Sequence, residues 1–208
     1  MNARDEGLEL KERLILIESM IAEGRRGTKS YSWTFILWGL ANYVAIAWST
    51  WGFGWAMWGH NVLAWPVTMA CASVLTWVVA LRKYKSSNRP STTLVRAISS
   101  IWIAMGISMF TLLLSLGLSG RSDQQMFVAV IAAMLGTTNA ASGMILRWKE
   151  QFACAVVWWL AAVVSCFGTV AQSAIAFLVA IFLCQIVFGI YGMITEARVR
   201  KQREAAHA

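Results

Sequence analysis

The chain has 208 residues, of which 58% are hydrophobic and only 13% are charged. A soluble domain of this size would carry about 25% charged residues, so the composition excludes a soluble globular protein. The formal net charge of +8 does not indicate nucleic-acid binding, because the Lys and Arg residues cluster at the ends of apolar segments, where they meet lipid headgroups.

The N-terminal segment, residues 1–29, is predicted to be a cytoplasmic amphipathic helix followed by a basic juxtamembrane stretch. Spacings of four, three and four residues place four apolar side chains on one helical stripe: Leu10, Leu14, Ile17 and Ile21. The polar residues around this stripe are mainly acidic, and anionic lipid would repel such a surface. We therefore expect the stripe to bind protein: the chain's own cytoplasmic loops or tail, a second copy in a coiled-coil homodimer, or a separate cytoplasmic partner.

Six long apolar stretches follow and predict a transmembrane bundle over residues 30–196. They cover approximately residues 33–51, 62–81, 94–118, 126–146, 152–170 and 174–195. Backbone groups in lipid must form hydrogen bonds within their own segment, so each stretch is expected to be a helix. The predicted fold class is all-α: a polytopic membrane protein with six transmembrane helices arranged as three hairpins, followed by a basic cytoplasmic tail at 197–208.

The distribution of basic residues predicts the orientation of these spans. Of the 18 Lys and Arg residues, all but Arg121 lie at the chain ends or beside every second connection. Cytoplasmic connections carry the excess of Lys and Arg in membrane proteins. Both termini are therefore expected in the cytoplasm.

Tryptophan is concentrated around the first outer connection. Five residues flank or lie within it: Trp48, Trp51, Trp55, Trp58 and Trp65. Tryptophan is enriched at membrane interfaces because its ring is amphipathic, and we interpret these residues as interfacial aromatics. An aromatic-lined outer pocket for a lipid, a quinone or a cationic ligand is the alternative.

The spans carry amides but no ionisable residue near the bilayer centre. The absence of Asp, Glu, Lys, Arg and His there argues against a proton pump and most ion-coupled transporters. Asn42, Asn139 and Gln185 all lie ~12–16 Å above the predicted cytoplasmic ends. We expect these three residues to form a polar cluster, either as interhelical hydrogen bonds or as a binding site.

Small residues on the fourth span predict close packing of that helix. They recur at four-residue spacing, with a further glycine near the cytoplasmic end: Ala132, Gly136, Ala140 and Gly143. Small side chains allow two helix backbones to approach each other in lipid.

No catalytic or metal-binding constellation is visible. The two histidines, His60 and His207, fall in an outer loop and in the tail, which disfavours a zinc site or a bis-His haem. The four cysteines lie inside apolar stretches without a C-x-x-C pair, as expected of packing residues. We therefore expect a non-enzymatic protein without a cofactor.

Two runs near the N-terminus carry a resemblance to a known group of proteins. Residues 17–26 read IESMIAEGRR, and residues 33–39 read WTFILWG. Together they resemble the opening of an uncharacterised family of bacterial polytopic inner-membrane proteins, in which an amphipathic segment leads into a first span with a W-x-F-x-L-W-G-like start. The likeness covers about the first 45 residues and the general hydropathy. It implies a bacterial inner-membrane location and brings no known activity.

These observations favour a signalling or scaffolding component of the membrane that acts on a cytoplasmic partner through its N-terminal helix. The alternative is a transporter or channel for a small neutral or lipid-like solute, which would use the amide cluster.

Overall fold

The computed structural model describes residues 3–29, 32–51, 61–86, 93–119 and 123–206. Within these ranges every residue is helical except Asp123 and two short turns at 146–148 and 168–169, and no strand occurs among them. The helices are α1 (Ala3–Lys29), α2 (Ser32–Trp51), α3 (Asn61–Ser86), α4 (Thr93–Ser119), α5 (Gln124–Ile145), α6 (Lys149–Phe167), α7 (Val170–Ile181) and α8 (Phe188–Ala206). A π-helical turn, Phe182–Val187, joins α7 to α8 without a break.

Five stretches in the described ranges are long and apolar enough to cross a membrane. They are Ala64–Arg82, Thr93–Leu116, Gln125–Ile145, Lys149–Phe167 and Val170–Val199. The all-α class and the multi-pass character are confirmed. The first predicted span, α2, is not among the five. Six spans in three hairpins therefore remain a prediction.

The most extensive contact in the bundle joins α5 to α6. A Cβ atom on Gly136 would overlap the Trp159 indole, and one on Gly143 would lie 2.8 Å from the backbone nitrogen of Phe152. Ala132 and Ala140 are buried. The small-residue stripe predicted for close packing is confirmed, because its two glycines allow α6 to approach α5 more closely than any side chain would permit.

A tight turn between α5 and α6 sets the direction of α6. The Arg147 and Trp148 amides donate to the carbonyls of Met144 (3.1 Å) and Gly143 (2.7 Å), and Arg147 has a left-handed φ of 49°. This pattern is a Schellman motif, which satisfies the last carbonyls of a helix before the chain reverses. Here the left-handed position is held by arginine, where glycine is usual.

Helix α2 runs antiparallel beside the π-helical turn and α8. Ser32 contacts Gly192, Ile36 contacts Gly189, and Gly39 faces Gln185. As the residue number rises along α2, the number of its partner falls. Near the other end of this interface, the Tyr43 hydroxyl donates to the Leu178 carbonyl at 2.9 Å. The contact therefore extends along most of α2.

Four aromatic rings connect separate parts of the bundle. Phe35 of α2 makes edge-to-face contacts with Trp102 of α4 and Phe188 of α8, at centroid distances of 5.3 and 5.2 Å. Phe188 in turn contacts Trp148 of the α5–α6 turn at 5.1 Å. The Trp102 indole N–H donates to the Ser142 hydroxyl on α5 at 3.2 Å. This row fixes α2, α4 and α8 around the start of α6.

Replacing Gly143 by Ala tests the α5–α6 contact. The added methyl group would meet the α6 backbone, which cannot rotate away as a side chain can. We expect a loss of about 1–3 kcal/mol in the free energy of unfolding, measured by denaturation in detergent. Gly106→Ala is the matched control, because a Cβ there would meet nothing within 4 Å. Equal effects of the two substitutions would contradict the packing described.

Candidate functional site

Two buried amides meet where α2 crosses the π-helical turn. The Asn42 side-chain nitrogen donates to Oε1 of Gln185 at 3.3 Å and to the Trp38 carbonyl at 2.8 Å. Both amide side chains are buried. A hydrogen bond between helices in lipid contributes about 0.6–2 kcal/mol, so this pair fixes α2 against the last span.

Local backbone geometry makes the amide pair possible. A Cβ atom on Gly39 would lie 3.0 Å from Cβ of Gln185 and 2.8 Å from Cδ1 of Ile186. Glycine thus lets α2 approach the helix that carries Gln185. The π-helical turn offsets the helical phase around Gln185 relative to the regular helices on either side. Such turns often occur at functional sites in other proteins.

Asn139, the third residue of the predicted cluster, lies on α5. Its side-chain nitrogen donates to the Leu135 carbonyl of its own helix at 2.9 Å, and its buried Oδ1 has no hydrogen-bond partner. Helix α5 packs mainly on α4, α6 and α7, and less on α2 or the π-helical turn. Hydrogen bonds therefore join Asn42 to Gln185 and leave Asn139 in a separate environment.

Gln151 is a buried polar residue that the sequence analysis missed. It lies in the first turn of α6, its side chain is 0% exposed, and neither its oxygen nor its nitrogen has a partner. A buried amide without hydrogen bonds costs roughly 1–3 kcal/mol. The charged neighbours Lys149 and Glu150 are typical of a chain segment at the lipid headgroups, where a glutamine would be exposed. The helical spacing to Cys154 and Trp158 was the signal that places it on the buried face.

The predicted outer aromatics fall partly within the described residues. Trp48 and Trp65 are half-buried. The Trp65 ring contacts Phe127 of α5 edge to face at 6.2 Å. The side chain of Trp51, and all of Trp55 and Trp58, lie outside the described residues. The Trp65 ring is therefore packed against the bundle near the start of α3.

The apolar stripe of α1 is open along its middle. Leu14 and Ile17 are 60% and 51% exposed, whereas Ile21 is half-buried. The side chain of Leu10 lies outside the described residues. One turn beyond Ile21, Gly24 packs against Leu94 at the start of α4 and against Leu146 in the α5–α6 turn. Among the described side chains of the stripe, the bundle covers the C-terminal end and leaves the middle open.

Exposed charges surround the open part of this stripe. Lys11, Glu12 and Glu18 are exposed. Arg13 forms an ion pair with Glu9 one helical turn earlier, and both side chains are exposed. A pair of this kind contributes only about 0.3–0.5 kcal/mol, so Arg13 can exchange Glu9 for another partner at little cost.

The cysteines form no recognisable metal site in the described part of the chain. The Cys184 thiol lies 3.5 Å from the Cys154 carbonyl in the core between α6 and the π-helical turn. Cys71 and Cys166 lie on the outer surface. No group of three His, Cys, Asp or Glu residues that could hold a metal ion occurs among the described residues.

Comparison with known proteins adds no relative to this description. No protein-family model, curated protein or solved structure matches the chain.

A double-mutant cycle tests the amide pair. Asn42→Leu and Gln185→Leu remove the same hydrogen bond, so their effects on the free energy of unfolding should be non-additive by about 0.5–2 kcal/mol. Asn139→Leu serves as the control and should add to either substitution. Denaturation of all variants in one detergent gives the comparison. Additive effects at 42 and 185 would contradict the hydrogen bond.

Proposed function

We propose that the chain is a non-enzymatic protein of the bacterial inner membrane with six transmembrane helices, and that it signals to or scaffolds a cytoplasmic protein through α1. The observation that carries this proposal is the exposed apolar stripe of α1, at Leu14 and Ile17. Helix α1 carries apolar and charged residues together along its length.

The contacts of α2 support a sixth span. Helix α2 has 20 residues without a charged side chain, enough to cross a hydrocarbon core of about 30 Å. It lies antiparallel along the candidate span Val170–Val199, from Gly192 to Leu178. A helix that follows a transmembrane neighbour over this length lies in the same layer. With α2 counted, α1 and the end of α8 are on one side of the membrane.

The basic residues support the cytoplasm as that side. Arg147 and Lys149 flank the α5–α6 turn, and Arg198 and Lys201 lie near the end of α8. Helix α1 packs on α4, on α8 and on the α5–α6 turn, so it contacts both elements that carry these basic residues. The positive-inside rule then places all of these elements in the cytoplasm.

The charges beside the stripe favour protein over lipid as its partner. Glu12 and Glu18 are exposed close to the open apolar residues. Helices that lie on anionic membranes are normally rich in Lys and Arg on their polar face. A protein surface can pair acidic side chains with Lys or Arg, whereas the net negative potential of the cytoplasmic leaflet repels them.

Solute transport is the second candidate, supported by the amide pair. Asn42 and Gln185 form a buried polar contact beside the π-helical turn in the last span. Transport of a small neutral or lipid-like solute would require this contact to open. Uptake by vesicles that depends on Gln185 would favour transport over signalling.

A photo-reactive amino acid at position 14 of the full-length protein tests the leading proposal in native membranes. We expect the probe to cross-link to protein, because Leu14 lies on the stripe. The same probe at Ser19, which is exposed but off the stripe, is the matched control. Cross-linking of position 14 to lipid alone would contradict the proposal.

A further inference from the structure

The stripe of α1 has the spacing of a coiled-coil seam. Leu10, Leu14, Ile17 and Ile21 alternate between d and a positions of a heptad. Leu14 and Ile17, at the centre of this seam, are exposed, as are Ile15 and Leu16 on the neighbouring face of the helix. The centre of the seam is thus open in the single chain.

The residues that flank the seam are complementary to their own copies. With Leu14 at position a, Glu6 and Arg13 occupy g positions, and Lys11 and Glu18 occupy e positions. In a parallel coiled coil each g residue faces the e residue five positions later on the partner helix. Glu6 therefore faces Lys11 of the second copy, and Arg13 faces Glu18. Both contacts are attractive, and symmetry forms each of them twice.

We propose that the partner of the α1 stripe is α1 of a second copy of this chain, in a parallel two-stranded coiled coil. This inference rests on the part of the proposed function in which the α1 stripe binds protein and not lipid. In the antiparallel register that sets Leu14 opposite Ile17, Lys11 would still face Glu18, but Arg13 would face Met20 and would lose its contact with a carboxylate.

The anchoring of α1 supports the parallel arrangement. Gly24 holds the C-terminal end of the helix against Leu94 and Leu146 of the bundle. Two copies in one membrane share the same orientation, so their anchored ends lie on the same side. Confinement to the membrane raises their effective concentration, which favours a seam as short as this one.

The charge pattern also distinguishes a second copy from a lipid surface. Glu18 lies directly beside Ile17, so a helix lying on the membrane would press this carboxylate against anionic headgroups. In the coiled coil the same carboxylate meets the Arg13 guanidinium of the partner copy.

Disulfide cross-linking of the full-length protein in membranes tests the seam. In a variant whose four native cysteines are replaced by Ala, Leu14→Cys should form a cross-linked dimer on mild oxidation. Ser19→Cys, at an f position on the outside of the coiled coil, is the matched control and should cross-link several-fold less.

Charge reversal tests the parallel register in the Leu14→Cys background. Arg13→Glu or Glu18→Arg alone places like charges across the interface and should reduce the cross-linked fraction several-fold. The combination R13E/E18R restores opposite charges and should recover most of it. The glutamate at position 13 is repelled by Glu9 of the same helix in both variants that carry R13E. Recovery of cross-linking in the double variant therefore reports on the contact between the two copies. Glu12→Lys, at an f position, should have no effect.

The outcomes separate this inference from the proposed function. Equal cross-linking at positions 14 and 19, or no recovery in the double reversal, would overturn the parallel coiled coil. If the photo-probe at position 14 then labels a different protein, the proposed function stands without self-pairing. If that probe labels lipid alone, both the coiled coil and the proposed function are wrong.

Discussion

Close approach of helix backbones at glycine is the interaction on which the bundle depends. Lipid is as apolar as the side chains, so burial in water does not drive these helices together, and packing must do so. Gly143 brings α5 within reach of the α6 backbone, and Gly39 and Gly189 do the same for α2 and the last span. The amide pair and the aromatic row lie beside these contacts, and their geometry follows from them.

The same packing gives α1 its place. Gly24 lies against Leu94 and Leu146, so the C-terminal end of α1 is tied to the start of α4 and to the α5–α6 turn. Leu14 and Ile17 of the apolar stripe lie beyond that contact and are exposed.

Hydropathy and small-residue spacing predicted the all-α class, the multi-pass character and the close packing of α5, because these depend on local sequence. The sequence also predicts the depth of a residue in the membrane, and this prediction sets Asn42, Asn139 and Gln185 at one level. Contact depends in addition on which helices are neighbours, and α5 packs away from α2. Neither the π-helical turn nor the burial of Gln151 has a local signal strong enough to outweigh the regular helical pattern and the adjacent charges.

The crossing of the membrane by α2 decides on which side of the membrane α1 lies. It is tested most directly by labelling single cysteines with an impermeant reagent in intact cells. Ser19→Cys on α1 and Glu150→Cys beside the α5–α6 turn should react only after permeabilisation, whereas Asp123→Cys should react in intact cells. Labelling of Ser19→Cys in intact cells, with Glu150→Cys still protected, would show that α2 does not cross the membrane.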